Sequence, residues 1–251
     1  MKLMDYLFPP TCVACGAKLG DTWPLCPFCL GEWEFAKTRC RAYSEGIPVR
    51  VFGEGFDERA GSAVHLVHYV PSRTKAPENR LILSLKTKKN PRLARFAADD
   101  MAALLRMSLT KPLLRDAVVT WIPRSVTNRV RYGFDHMEAV ARETAISLGL
   151  PSAALLRRTM LAGEQKLLNA AERRENAART IRIRRNVALH GRTVVLLDDI
   201  ITTGASMEAC ARLLLDAGAG MVIAAAIAST GRESKPKRID EVFTVKPPTR
   251  S

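Results

Sequence analysis

Aromatic residues are scarce in this chain, at 6%, which works against a surface built to stack single-stranded bases. Long apolar runs are lacking as well. A membrane helix needs about 20 largely apolar residues; the best stretch, 213–229, spans 17 positions and is broken by Asp216, Gly218 and Gly220, so no membrane span is expected. The first residues, MKLMDYLFPPTC, hold one lysine, then Asp5 and two prolines where a signal peptide needs an apolar run, so a cytoplasmic location is expected. Six cysteines are too few for a disulfide-dense scaffold. Repeats and low-complexity segments are missing too. What is present is ordinary globular usage: 47% hydrophobic and 25% charged residues over a length of 251 exclude wholesale disorder. That length suits one substantial domain with a small appendage, or two modest domains.

Charge is unevenly placed. The chain carries 39 basic and 25 acidic residues, a net +14. Residues 1–60 hold 7 Lys/Arg against 8 Asp/Glu, so all of the excess lies in 61–251. The segment 157–192 alone has ten basic and three acidic residues and no aromatic one. Such a balance implies an anionic partner, nucleic acid or a phosphorylated small molecule.

The organisation follows three stretches: a cysteine module at 1–45, a Gly-rich, charge-mixed linker at 46–62, and a larger domain at 63–251. Within the last, apolar strands are expected at 63–70, 117–122, 193–197 and 221–228, with a weak one at 241–245. Helical spacing marks 77–86, 93–107, 135–148 and 206–217. Strands apolar on both faces and alternating with helices indicate an α/β domain with a mainly parallel sheet. Between 150 and 192 the alternation fails, leaving a basic active-site loop or a disordered insert.

Cys12 and Cys15, then Cys26 and Cys29, form two CxxC pairs separated by ten residues. Two such knuckles complete a tetrahedral four-thiolate zinc site with no open position, hence a structural one; Gly16 and Gly31 would permit the tight turns. Redox pairs or local disulfides are the alternative, though the strand-to-helix setting of a thioredoxin-type motif is absent. Cys40 and Cys210 are expected as packing residues. His65 and His68 sit on a strand, where i and i+3 point to opposite faces, so metal binding there is not expected.

Residues 194–206 read Val-Val-Leu-Leu-Asp-Asp-Ile-Ile-Thr-Thr-Gly-Ala-Ser. A buried strand delivers Asp198 and Asp199, and the loop Thr202, Thr203, Gly204, Ala205, Ser206 opens a helix. Ligands of open α/β sheets bind beyond the carboxyl ends of strands. Backbone N–H groups, hydroxyls and a helix N-terminus there can cradle a phosphate monoester. Two carboxylates would repel that phosphate, so they suit neutral sugar hydroxyls or a metal ion. The stretch resembles the phosphoribosyl pyrophosphate (PRPP) signature of type I phosphoribosyltransferases at all thirteen positions. The resemblance implies that Asp198 and Asp199 hold the ribose hydroxyls and that Thr202 to Ser206 grip its phosphate.

Other segments narrow the likeness: the cysteine module, Lys86, then Ile122-Pro123-Arg124-Ser125, Arg131-Tyr132-Gly133-Phe134-Asp135-His136, and Arg158-Thr159 with Gln165, Arg173 and Asn176. Their order resembles the ComF family, phosphoribosyltransferase-like proteins with an N-terminal zinc ribbon that are linked to DNA uptake in natural competence. The resemblance implies a Rossmann-like fold and Mg²⁺-assisted displacement of pyrophosphate from PRPP by a ring nitrogen. It implies pyrophosphate contacts from Lys86, Pro123, Arg124 and Ser125. A mobile hood over the substrate would draw on Arg131, Arg158, Gln165, Arg173 and Asn176. Two departures stand out. Arg-Tyr-Gly-Phe-Asp-His replaces the usual Arg-Gly-Phe-Asn-Gln, and a second set of CxxC pairs is reduced to Cys40. No general base is evident. The competing reading is a non-catalytic accessory protein that binds single-stranded DNA, or a DNA-processing partner, through the basic domain.

Overall fold

The computed structural model describes residues 10–19, 24–44, 49–53, 63–159 and 180–230. Strands β3 (Val118–Trp121), β6 (Thr193–Ile201) and β7 (Met221–Ser229) run parallel in the order β3-β6-β7. The outer edge of β7 takes β2 (Val64–His68) in parallel and, end to end with it, β1 (Val51–Gly53) in antiparallel. Thus Val51–Gly53, inside the stretch read as a linker, is a strand of the main sheet. Its pattern is three residues long, too short to register as periodicity.

Helices α2 (Pro77–Thr87), α3 (Pro91–Ser108) and α6 (His136–Leu148) cover one face, and α7 (Ala205–Asp216) covers the other. Alternation along β6 feeds both cores: Val195 and Leu197 pack with Met101 and Val140, whereas Val194 and Leu196 pack with Met207 and Leu214. This double burial explains the uninterrupted apolar runs of β6 and β7. The helix expected at 135–148 starts one residue later, at His136, because Asp135 is its cap, the carboxylate accepting from Met137 N–H, and Gly149 closes the end. The weak strand expected at 241–245 lies outside the described residues.

Besides β1 and the short strands Leu156–Arg158 and Ile181–Ile183 in the stretch read as a loop or insert, three helices escaped the sequence pattern. Helices α4 (Lys111–Arg115) and α5 (Val126–Tyr132) bury no side chain, so no apolar stripe marks them. Helix α1 (Pro27–Ser44) does bury a stripe, Cys29, Trp33, Lys37 and Cys40. The spacing is helical, but a lysine and two cysteines stand where aliphatic residues would signal it. Gly31 accordingly lies inside a helix rather than in the tight turn expected after the second CxxC pair.

That buried lysine pairs with two acids, the exposed Glu34 at 2.8 Å and the better-buried Asp100. Lys37 Nζ lies 2.5 Å from Asp100 on α3, and the Trp33 indole N–H donates to the other Asp100 oxygen at 2.6 Å. Removing one partner of a buried pair strands the other charge, at about 3–5 kcal/mol. Asp100→Ala is therefore expected to lower the melting temperature by roughly 6–20 °C, whereas changing Glu34, the exposed partner of Lys37, should move it by less than about 2 °C. Calorimetry on the two variants checks this; equal shifts would remove Asp100 as the tie between α1 and α3.

Candidate functional site

Strand β6 does not stop before its acids. Its pairing with β7 continues to Ile201, opposite Ser229, so Asp198 and Asp199 lie within the strand. Pairing with β3 ends earlier, at Trp121 opposite Leu197. Just past that point β3 turns away, and the helices that follow β3 and β6 cover opposite faces of the sheet. The chain therefore parts between β3 and β6, where α/β sheets open a crevice. A cleft of about 270 Å³ occupies it, lined among others by Lys86, Pro123, Arg124, Ser125, Asp198, Asp199 and Ser206.

Asp199 faces α6 and α2. Its Oδ2 lies 2.7 Å from His136 Nε2 and 3.2 Å from Lys86 Nζ, and its Oδ1 accepts from Ile200 N–H at 2.6 Å. Burial alone would raise this carboxyl; the His136 hydrogen bond and the Lys86 charge outweigh it and hold the group at about 2. At Asp198 the balance reverses. Burial, then the charge of Asp199, outweighs the pull of Lys86 and Arg158 and pushes this carboxyl up to about 8. Adjacent carboxyls so divided give one neutral acid and one carboxylate near neutral pH.

The division has a consequence for stability. Unfolded Asp198 ionises near its ordinary 3.8 while the folded chain keeps it protonated to about 8. Its contribution is thus present below pH 3.8 and lost as pH rises through 8. Asp198→Asn removes the titration. The variant is expected to gain on the parent by about 1 kcal/mol per pH unit between roughly pH 4 and 8, with no further gain above. Chemical denaturation across that range measures it, and a constant difference would assign Asp198 an ordinary acidity.

Beyond β6, Gly204 caps α7 with φ 80°, a left-handed conformation that glycine adopts without strain. Thr203 Oγ1 accepts from Ala205 N–H at 3.4 Å. Of the five loop residues, Ser206 reaches the cleft wall described above. A residue missed from sequence stands beside this loop. Arg50, just before β1, brings Nη1 to 3.5 Å from where a Cβ on Gly204 would be, stacks over Phe52 and lies 3.9 Å from Glu208. Its Nε is buried with no hydrogen-bond partner among the described residues. Nothing local marks it; the antiparallel pairing of β1 carries it there.

Opposite the acids, Arg124 N–H donates to Asp135 at 2.9 Å, and its guanidinium lies over the rings of Tyr132 at 4.2 Å and Phe134 at 5.6 Å. The Ser125 hydroxyl caps α5 by accepting from Asn128 N–H. Arg158 is on β4 (Leu156–Arg158), which pairs antiparallel with β5 (Ile181–Ile183). Its Nε donates to the Pro123 carbonyl at 2.8 Å, pinning this hairpin to the cleft wall. Of the hood residues, Arg158 lines the cleft from a strand, whereas Arg131 is exposed over Tyr132 and outside it. Gln165, Arg173 and Asn176 lie outside the described residues. His136, seen in sequence as a departure from the family pattern, is the partner of Asp199. A larger cavity of about 470 Å³, lined by Lys88, Arg129, Phe134 and Glu138, lies beside the cleft and shares His136 with it.

The four cysteines converge as expected. The sulfurs of Cys12, Cys15, Cys26 and Cys29 all lie within 4.8 Å of one another. Ala17 N–H donates to Cys15 Sγ and Cys29 N–H to Cys26 Sγ, both at 3.5 Å, and Gly16 turns the first knuckle at φ 79°. Burial and then the neighbouring sulfurs push the Cys29 thiol far up, while backbone N–H groups hold Cys12 at about 7 against its burial. A divalent ion relieves that crowding of sulfur charge, so the set fits zinc.

Two family models match parts of the chain. Residues 137–250 match the family model described as the phosphoribosyl transferase domain, and residues 3–56 the double zinc ribbon domain. No curated protein matches. Similar solved structures include the allosteric regulatory enzyme of purine biosynthesis, 20% identical over 59% of this chain and 30% of that one, TM-score 0.37. Another is the glutamine PRPP amidotransferase of B. subtilis in complex with ADP and GMP, 20% identical over 55% and 29%, TM-score 0.35. Adenine phosphoribosyltransferase of Thermoanaerobacter pseudethanolicus is 14% identical over 79% and 85%, TM-score 0.36. The chain thus spans about a third of the length of the first two. The four-cysteine cluster falls within the zinc ribbon match, and β6 and β7, with Asp198 and Asp199, within the phosphoribosyl transferase match.

Proposed function

We propose that the cleft between β3 and β6 binds PRPP and that the chain is a ComF-like phosphoribosyltransferase, with the ribbon at 1–45 and the transferase-like domain at 63–251. The observation that carries this is the pair Asp198 and Asp199 standing where β3 leaves β6, with the Thr202–Ser206 loop on one side and Pro123 to Ser125 on the other. The ribose hydroxyls meet one neutral and one charged carboxyl, which together donate and accept. The monoester meets the loop N–H groups and Arg50. Lys86, Arg124 and Arg158 face the diphosphate. A nitrogen lone pair then forms the bond to the ribose anomeric carbon as the carbon–oxygen bond breaks, and pyrophosphate leaves with that electron pair.

Asp198 and Asp199 offer the hard oxygens that Mg²⁺ takes. With Lys86 already 3.2 Å from Asp199, such an ion would be held together with the ligand's diphosphate and would supply neutralisation of charge on the leaving group. The ComF-like order of modules also connects the reading to DNA uptake. Calorimetric titration with PRPP and Mg²⁺, beside single-stranded DNA at several salt concentrations, tests it. Micromolar PRPP binding supports the reading. Silence toward PRPP with steeply salt-dependent DNA binding would replace it with the accessory role.

A further inference from the structure

At the edge of the sheet opposite β3, α1 packs against β2, and three metal-binding side chains meet there. Cys40 is buried near the end of α1. Its Sγ and the ring nitrogens of His65 and His68 all lie within 4.8 Å of one another. Strand alternation predicts that the two histidines diverge; instead their rings stand edge to face with centroids 5.1 Å apart. Alternation governs the direction of Cβ, while an imidazole reaches well beyond it. Among the described residues β2 pairs only with β7, so its outer edge leaves room for both rings to turn toward α1.

Hydrogen bonding at His65 points further. Its Nδ1 is 2.8 Å from the Ala63 carbonyl oxygen, which can only accept, so Nδ1 carries the proton and Nε2 the lone pair. Nε2 is buried with no hydrogen-bond partner among the described residues. One ring nitrogen donating to a backbone carbonyl while the other presents a buried lone pair is the arrangement of a metal-bound histidine. The Cys40 thiol lies 3.7 Å from the His65 carbonyl oxygen, which places its sulfur beside the same histidine. Donors on a tetrahedral zinc stand roughly 3.3–3.8 Å apart, given bonds of about 2.0–2.3 Å, so side-chain shifts of about 1 Å close the set.

We propose that Cys40, His65 and His68 bind a second divalent transition ion, zinc by the thiolate-and-imidazole character of the donors, clamping the cysteine module onto the edge of the sheet. Two of the three ligands lie outside the ribbon match at 3–56. The site is independent of what the cleft binds.

Metal content of the full-length chain, purified with zinc present, tests this. Two ions per chain are expected, falling to one in Cys40→Ser and in the double variant His65→Ala, His68→Ala, each keeping the ion of the four cysteines. One ion in the parent chain, or two in both variants, overturns the proposal. Cobalt loading of the parent chain keeps the test decisive if a variant misfolds. A second equivalent whose absorption carries the charge-transfer intensity of a single thiolate supports the site, and none, or one matching four thiolates, overturns it.

Discussion

Asp199→Asn is expected to weaken PRPP binding by roughly a hundredfold. A charged acceptor to a sugar hydroxyl contributes about 1.5–3 kcal/mol per hydrogen bond. Breaking two of them, at the low end of that range, costs about 3 kcal/mol, two orders of magnitude in Kd. The opposite effect is also physical, since removing a negative charge beside a polyanion favours binding. Here that gain is small, because Lys86 and His136 already compensate the Asp199 carboxylate at 3.2 Å and 2.7 Å. The sign of the change therefore decides. Titration calorimetry that found tighter binding in Asp199→Asn would make the carboxylate a mere repulsive neighbour and remove the ribose assignment. The measurement belongs well below the melting temperature, because the variant also strands a lysine that the carboxylate now pairs.

Loss of the four-cysteine zinc is expected to do more than fray the N-terminus. Cys12, Ala14, Leu19, Leu25, Cys29 and Trp33 share one apolar core with Leu81, Leu93 and Met101 of α2 and α3. Zinc release or Cys29→Ser unlocks the knuckles that hold this patch in place. The melting temperature should fall by about 10 °C or more, given that each 1 kcal/mol is worth about 2–4 °C in a chain of this size. Exposed apolar surface should also promote aggregation. Thermal melting with and without chelator, read by static light scattering, checks this. A chelated protein that melts unchanged would mean that packing alone, without the ion, holds the module.

Much of the architecture is legible because periodicity reports burial. The runs of β6 and β7, the stripes of α3 and α6 and the closing Gly149 all state their surroundings locally. The same logic explains what stayed hidden. Helix α1 buries a lysine and two cysteines on its stripe, and β1 is three residues long. Neither can be read without the partner that makes sense of it, Asp100 for the one and β7 for the other.

By itself the sequence determined the two CxxC knuckles, the strand bearing Asp198 and Asp199, and the glycine-turned loop into α7, since each is a contiguous pattern whose chemistry needs no distant partner. Tertiary structure alone decided that β3 parts from β6 beside those acids, that His136 and Lys86 converge on Asp199, that Arg50 reaches the loop, and that Cys40 meets His65 and His68. His136 and Asp199 stand 63 positions apart, and Cys40 and His65 stand 25 apart. Meetings at that range arise from crossing and register, which no local run of residues encodes.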